Sequence, residues 1–164
     1  MRRTALALAA LIAPTGVLAQ APDCTPFTLQ ALDGRVVKTH DQGDSGPSIG
    51  DLRLGERIVG DEDGNPVGEL RWVITLLDPD HGGEPTHHLM RMYFLLDSGT
   101  IITEGVHALM AQMHDADRVS VAPTEMVILG GTGAFRHARG VVDYMPATDG
   151  NPEDVQFGLD ISCD

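Results

Sequence analysis

Residues 125–140 read Glu125-Met126-Val127-Ile128-Leu129-Gly130-Gly131-Thr132-Gly133-Ala134-Phe135-Arg136-His137-Ala138-Arg139-Gly140, and this run constrains the fold more than any other part of the chain. An apolar strand entering a glycine cluster is how a dinucleotide-binding turn begins. That turn also needs a third glycine three residues beyond Gly133 and a helix whose N-terminus holds the pyrophosphate. Position 136 is Arg, and the run that follows, Gly140-Val141-Val142-Asp143-Tyr144, is β-branched and too short for a crossover helix. The segment therefore reads as strand, glycine turn, strand.

The rest of the chain repeats that grammar. Residues 28–38 hold a short strand, a turn at Asp33-Gly34 and a further apolar pair, Val36-Val37, before a Gly/Ser/Asp-rich loop at 40–50. Residues 52–59 alternate with period two, the mark of a half-buried strand. Asp61 to Pro66 resembles a calcium loop only faintly, since the flanking helices and the twelfth-position glutamate are missing. A hairpin turn on Asp63-Gly64 fits better. Strands follow at 67–77, 86–97, 100–112, 121–129, 139–144 and 155–161, joined by loops at 78–85, 114–120 and 145–154 and a Ser98-Gly99 turn. About eight strands at this spacing, with no helix beyond residue 19, no internal repeat and no second domain, predict an all-β barrel or sandwich.

The ends of the chain bear on compartment. Met1-Arg2-Arg3, an apolar run over residues 4–13, the break at Pro14 and Gly16, and Val17-Leu18-Ala19 predict a signal peptide over residues 1–19 and a secreted or periplasmic protein. The apolar run is too short to span a bilayer, which needs about 20 residues, so no membrane insertion is expected after leader cleavage. About 145 residues remain (residues 20–164), one domain with a substantial core. Asp and Glu number 24 against 11 Lys and Arg, a net charge of −13, and removing Arg2 and Arg3 deepens it. Such a surface repels phosphate backbones and anionic lipids, so no nucleic acid partner is expected. Cys24 and Cys163 lie near opposite ends of the mature chain. In an oxidising compartment they read as a disulfide worth roughly 4–5 kcal/mol, and joining them suits a barrel whose first and last strands pair.

The glycine run resembles the Gly-Gly-Thr-Gly-x-Phe-x-x-Ala-x-Gly signature of plant dirigent proteins and the related allene oxide cyclases. Val67-Gly68, the strand end Tyr93-Phe94-Leu95-Leu96-Asp97, and Gly99-Thr100-Ile101-Ile102-Thr103-Glu104-Gly105 recur in the same order in that group. The resemblance covers most of residues 50–144. It implies an eight-stranded antiparallel β-barrel with a pocket at one mouth, usually assembled as a homotrimer. It also implies a small hydrophobic molecule as ligand, no cofactor and no covalent intermediate. The cyclases fold an allene oxide stereospecifically, and dirigents guide the coupling of phenoxy radicals.

Candidate site residues follow from both lines. By resemblance, Arg139 matches a motif arginine that lines the pocket. Some dirigents carry an aspartate where this chain has Gly131. Glu104 lies between Ile102 and Val106 on an apolar strand face, where desolvation would raise its pKa and suit it to proton transfer. Arg139 and Glu104 are therefore the candidate catalytic pair for a cyclase or isomerase, and Glu69, Arg71, Trp72 and Tyr93 the candidate ligand-binding residues. A non-catalytic binding or interaction module is the alternative. Asp80, His81, Glu84, His87 and His88 cluster in sequence, with His107 and His114 beyond. They show no metal-ligand spacing and read as a surface cluster, so no metal site is expected. Met90, Met92 and Met110 read as core filler. No Gly-x-Ser-x-Gly elbow is present, which argues against a hydrolase.

Overall fold

A computed structural model describes residues 23–43, 45–46, 48–78, 86–109, 124–145 and 155–163. Eight antiparallel strands follow one another around a closed barrel: β1 (Phe27–His40), β2 (Leu52–Gly60), β3 (Pro66–Leu76), β4 (Thr86–Leu96), β5 (Gly99–Leu109), β6 (Thr124–Gly131), β7 (Arg139–Met145) and β8 (Gln156–Ser162). β1 closes on β8 through the pairs Phe27↔Leu159 to Gln30↔Gln156, so neither edge of the sheet is left open. Of the barrel or sandwich expected from the period-two runs, the barrel that the motif resemblance implies is what forms. Residues 79–85, 110–123 and 146–154 lie outside the described residues, and so do the predicted leader, Met110, His81, Glu84 and His114.

Asp33-Gly34 departs from expectation: the pair lies within β1 and makes no turn. The register between β1 and β2 shifts between Ala31 and Asp33 and again between Val36 and Lys38. Such bulges sharpen the local twist, which lets a 14-residue strand bend around a small barrel. The turn expected at Asp63-Gly64 does form. The Asp61 carboxylate accepts hydrogen bonds from the backbone N–H groups of Asp63 and Asn65, at 3.0 and 2.8 Å, and holds the β2–β3 hairpin shut.

The glycine run plugs one end of the barrel. Gly130-Gly131 ends β6, and a 3-10 turn, η1 (Gly133–Phe135), folds over the rim before β7 begins. Gly133 has a φ of +61°, and a Cβ there would meet the Ser98 carbonyl oxygen at 2.4 Å, so only glycine fits. Backbone hydrogen bonds from Thr132 to Thr100 and from Ala134 to Ser98 pin this corner to the β4–β5 turn. Phe135 is thereby driven into the lumen, fully buried, with its ring 6.2 Å from that of Phe27. Beside this plug Cys24 and Cys163 form the expected disulfide, with Cα atoms 5.8 Å apart. It ties the start of β1 to the end of β8 where those strands already pair.

Alternation sorts the residues. Leu29, Leu70, Phe94, Ile101, Val142, Phe157 and Leu159 face inward and are essentially inaccessible. Phe94 and Phe157 pack edge to face at 5.4 Å across the interior. Met90 and Met92 also face inward and are buried, as core filler should be. The outer wall is not uniformly polar: Val106, Val127 and Leu129 on β5 and β6 are about half exposed.

Candidate functional site

The two ends of the barrel differ in chemistry. The plugged end is apolar and buried. Toward the other end, where β1, β3, β5 and β7 finish, the inward positions become polar and several are partly accessible. On β2 they are Arg53, Gly55 and Arg57; on β3, Trp72 and Ile74; on β4, His88; on β5, Thr103 and His107; on β7, Tyr144. Among the described residues no inward position on β2–β8 carries a carboxylate, although the chain as a whole is strongly acidic.

Trp72 and Arg57 form one wall. Gly55 pairs with Trp72 across β2 and β3, and a Cβ on Gly55 would sit 1.9 Å from the indole ring. The missing side chain lets the indole lie against the strand. The Arg57 guanidinium carbon is 5.9 Å from the indole centroid, within cation–π reach. Burial lowers the Arg57 pKa, opposed by Tyr144 and Asp33, and burial likewise lowers that of Arg53, opposed by Asp51.

His107, Thr103 and Tyr144 form the other wall. His88 and His107 are direct cross-strand partners on β4 and β5, and both are buried. Neither ring nitrogen of His107 has a hydrogen-bond partner among the described residues, and the same holds for the Thr103 hydroxyl. Burial, with the neighbouring His88 adding to it, pushes the His107 pKa down to about 4, so the imidazole is neutral at pH 7. The Tyr144 ring stands 5.7 Å from that of His107, near edge to face. Burial raises the Tyr144 pKa and Arg57 partly offsets it, so the phenol is a neutral donor. The arrangement offers a cation and a phenol as donors, a neutral imidazole as donor or acceptor, and an indole as a flat apolar platform.

The structure does not bring Arg139 and Glu104 together. Arg139 opens β7 at the plugged end, exposed on the outer wall, where its Nη1 donates to the Ala138 carbonyl at 2.6 Å. The apolar face that carries Glu104 is the outer one, and Glu104 accepts there from Arg91 Nε at 2.7 Å, directly across the β4–β5 ladder. Glu69 and Arg71 also face outward, paired at 3.0 Å, and Tyr93 shares that wall. Of the ligand-binding candidates, only Trp72 faces the lumen. The histidine expectation needs correction at two positions, because His88 and His107 are interior while His87 points out to Asp78 at 2.7 Å. Among the described residues no three His, Cys, Asp or Glu side chains converge as a metal site.

Sequence reasoning missed Arg53, Arg57, Thr103 and Tyr144, and it passed over the interior role of His88 and His107. A usable signal was present on β5: inward residues every second position from Ile101 include Thr103, Gly105 and His107, a polar stripe.

No family model and no curated protein sequence matches the chain. Solved structures do. A pyocyanin demethylase superposes with a TM-score of 0.65 at 21% identity, covering 84% of this chain and 100% of that one. The Diels–Alderase AbmU from Streptomyces koyangensis superposes with a TM-score of 0.60 at 16% identity, covering 88% of this chain and 64% of that one. A nonspecific heme-binding cyclase that catalyses a 4 + 2 cycloaddition in neoabyssomicin biosynthesis gives 0.55 at 15%, covering 87% and 63%. This chain spans less than two thirds of either cyclase. At these identities what is shared is the fold: the chain has the β-barrel architecture of a demethylase and of cycloaddition cyclases.

Proposed function

We propose that the half of this barrel away from the plug takes up a small, largely apolar molecule and steers its cyclisation or isomerisation without a covalent intermediate. The observation that carries this reading is the set of buried polar atoms on His107 and Thr103 without a partner among the described residues, set above an apolar plug and opposite Arg57 and Trp72. Each buried polar group left without a partner costs about 1–3 kcal/mol, a cost that a bound ligand would offset by supplying the missing hydrogen bonds. A lumen that is mostly apolar with a few convergent polar groups is the usual form of a small-molecule site. The allene oxide cyclase-like and dirigent-like motif and the structural likeness to barrel enzymes support the same reading.

In this reading the apolar wall folds the substrate. The Arg57 guanidinium and Tyr144 hydroxyl stabilise charge developing on a substrate oxygen, and the neutral His107 holds or relays a proton. One observation favours a purely binding role: His107 has no partner among the described residues to orient it, as a general base usually has. Two measurements decide between them. The protein is extracted with organic solvent and the extract examined by mass spectrometry for a stoichiometric small molecule. It is also incubated with a panel of conjugated dienones and oxidised phenols, followed by chiral chromatography. Product in enantiomeric excess over the buffer control supports steering. A bound molecule with racemic product leaves a binder, and the absence of both a bound molecule and an enantiomeric excess sinks the reading.

A further inference from the structure

Two buried histidines face each other across β4 and β5. His88 and His107 are direct register partners, and both point inward. Residues directly opposite in an antiparallel pair have Cβ atoms about 4.5–5.5 Å apart, close enough for two imidazoles to reach one ion. The rings are near enough here that a charge on His88 disfavours one on His107. Neither nitrogen of His107 has a hydrogen-bond partner among the described residues.

The next inward layer is sulfur. Met90 follows His88 on the inner face of β4, and its register partner on β5 is Gly105. A Cβ on Gly105 would lie 2.7 Å from the Cγ of Met126, so the glycine gives up its place on the inner wall to that β6 side chain. Met90 and Met126 thus flank Gly105 from two sides, one inward position away from the histidine pair, and both are buried. Buried methionine is ordinary core filler. Beside imidazole nitrogens that lack partners, the two thioethers are also ligands.

Donor chemistry selects the ion. Among the described residues no third His and no Cys, Asp or Glu joins the pair, so the donor sets of zinc and calcium are not assembled. Neutral imidazoles and thioethers bring no negative charge, and burying an uncompensated divalent ion costs far more than burying a monovalent one. Thioether and imidazole ligands together suit soft, monovalent Cu(I). The path in is short. His88 lies near the start of β4 and His107 near the end of β5, at the end of the barrel away from the plug.

We propose that His88, His107, Met90 and Met126 form a Cu(I) site inside the barrel. This goes beyond the small-molecule reading and does not depend on it. Copper takes one nitrogen of His107 and fixes the orientation of the ring, and the other nitrogen remains for a bound molecule.

The probe is Cu(I) itself, kept reduced by ascorbate without oxygen and titrated against the chelator ferrozine, with Zn(II) titrated in parallel. One equivalent of Cu(I) should pass to the protein, and X-ray absorption at the copper edge should show nitrogen and sulfur neighbours together. His107→Leu should abolish the transfer. Met126→Leu conserves volume, and it should weaken Cu(I) binding at least about 10-fold and reduce the sulfur signal. If His107→Leu fails to fold by circular dichroism, Met126→Leu decides alone. Copper held by nitrogen without sulfur would belong to exposed histidines such as His40, His87 and His137, and would overturn the proposal. No transfer from ferrozine, Zn(II) held as tightly as Cu(I), or unchanged Cu(I) affinity in a folded variant would overturn it as well.

Discussion

Mild acid should loosen this barrel before its carboxylates titrate, because of His107. Its imidazole is fully buried, and its pKa falls from the usual 6.5 to about 4. Between those values the unfolded chain holds a proton that the native state refuses. Unfolding then takes up a proton, and stability declines as the pH drops. The full stability of the neutral buried form is present above about pH 6.5 and is lost on the way down to about pH 4. At about 1.4 kcal/mol per unit, the whole shift is worth on the order of 3 kcal/mol, with about 2 kcal/mol already gone at pH 5. Asp51 and Asp61 have pKa values lowered by hydrogen bonds, mainly from Gln42 and Ser48 and from Asn65 respectively. Their contributions persist above the usual carboxylate value and are lost only as the pH falls below it, so the window from pH 6.5 to 5 belongs to histidine. Urea unfolding of the parent at pH 7.5, 6.5, 5.5 and 5.0 should show the fall. His107→Leu, similar in volume and without a titrating group, should flatten it. A parent as stable at pH 5 as at pH 7.5, or a variant with the parent's slope, would refute the reasoning.

Other outcomes follow from single contacts. Cys24→Ser should lower stability by about 2–5 kcal/mol, matched by adding reductant to the parent; unchanged urea midpoints in both would show that the bond does not hold the ends together. Gly55→Ala puts a methyl group into the Trp72 ring and should cost about 1–3 kcal/mol and shift the indole emission, so an unmoved emission maximum would mean that the ring does not lie there. Glu104→Gln breaks a solvent-facing ion pair with Arg91 and should change stability by less than about 1 kcal/mol without altering the amount of small molecule that co-extracts with the protein; a large loss of that molecule would return Glu104 to the site. If the barrel assembles as the trimer that the motif resemblance implies, Val106→Glu on the half-exposed β5 wall should reduce the mass seen by light scattering, and an unchanged trimer would place the interface elsewhere.

The interior cluster was hard to read from the chain for one physical reason. Alternation separates two faces of a strand, but it does not say which one is inside when both carry apolar residues. On β5 the outer face offers Ile102 and Val106 around Glu104, while the inner face offers Ile101, Thr103, Gly105 and His107. By hydrophobicity alone the outer face looks like the core, so Glu104 seemed to be the desolvated group. On β5 the desolvated group is His107, which follows Thr103 and Gly105 on the inward face. The Asp33-Gly34 pair misled in a similar way: its turn chemistry is real, but pairing with β2 on one side and closure on β8 hold β1 extended through a bulge.

Local chemistry was enough to predict an all-β protein of about eight strands, barrel or sandwich, and the glycine-motif resemblance pointed to the barrel. Period-two runs, the hairpin at Asp63-Gly64, the Gly130–Gly133 corner and the cysteines at the two ends each act through neighbours in sequence or through the termini. Tertiary structure alone decided which face of each strand looks inward, and hence that Arg57, Trp72, His107 and Tyr144 share one lumen. Those residues come from β2, β3, β5 and β7, and nothing in their spacing along the chain relates them. Strand register and barrel curvature bring them together, and both are properties of the closed sheet as a whole.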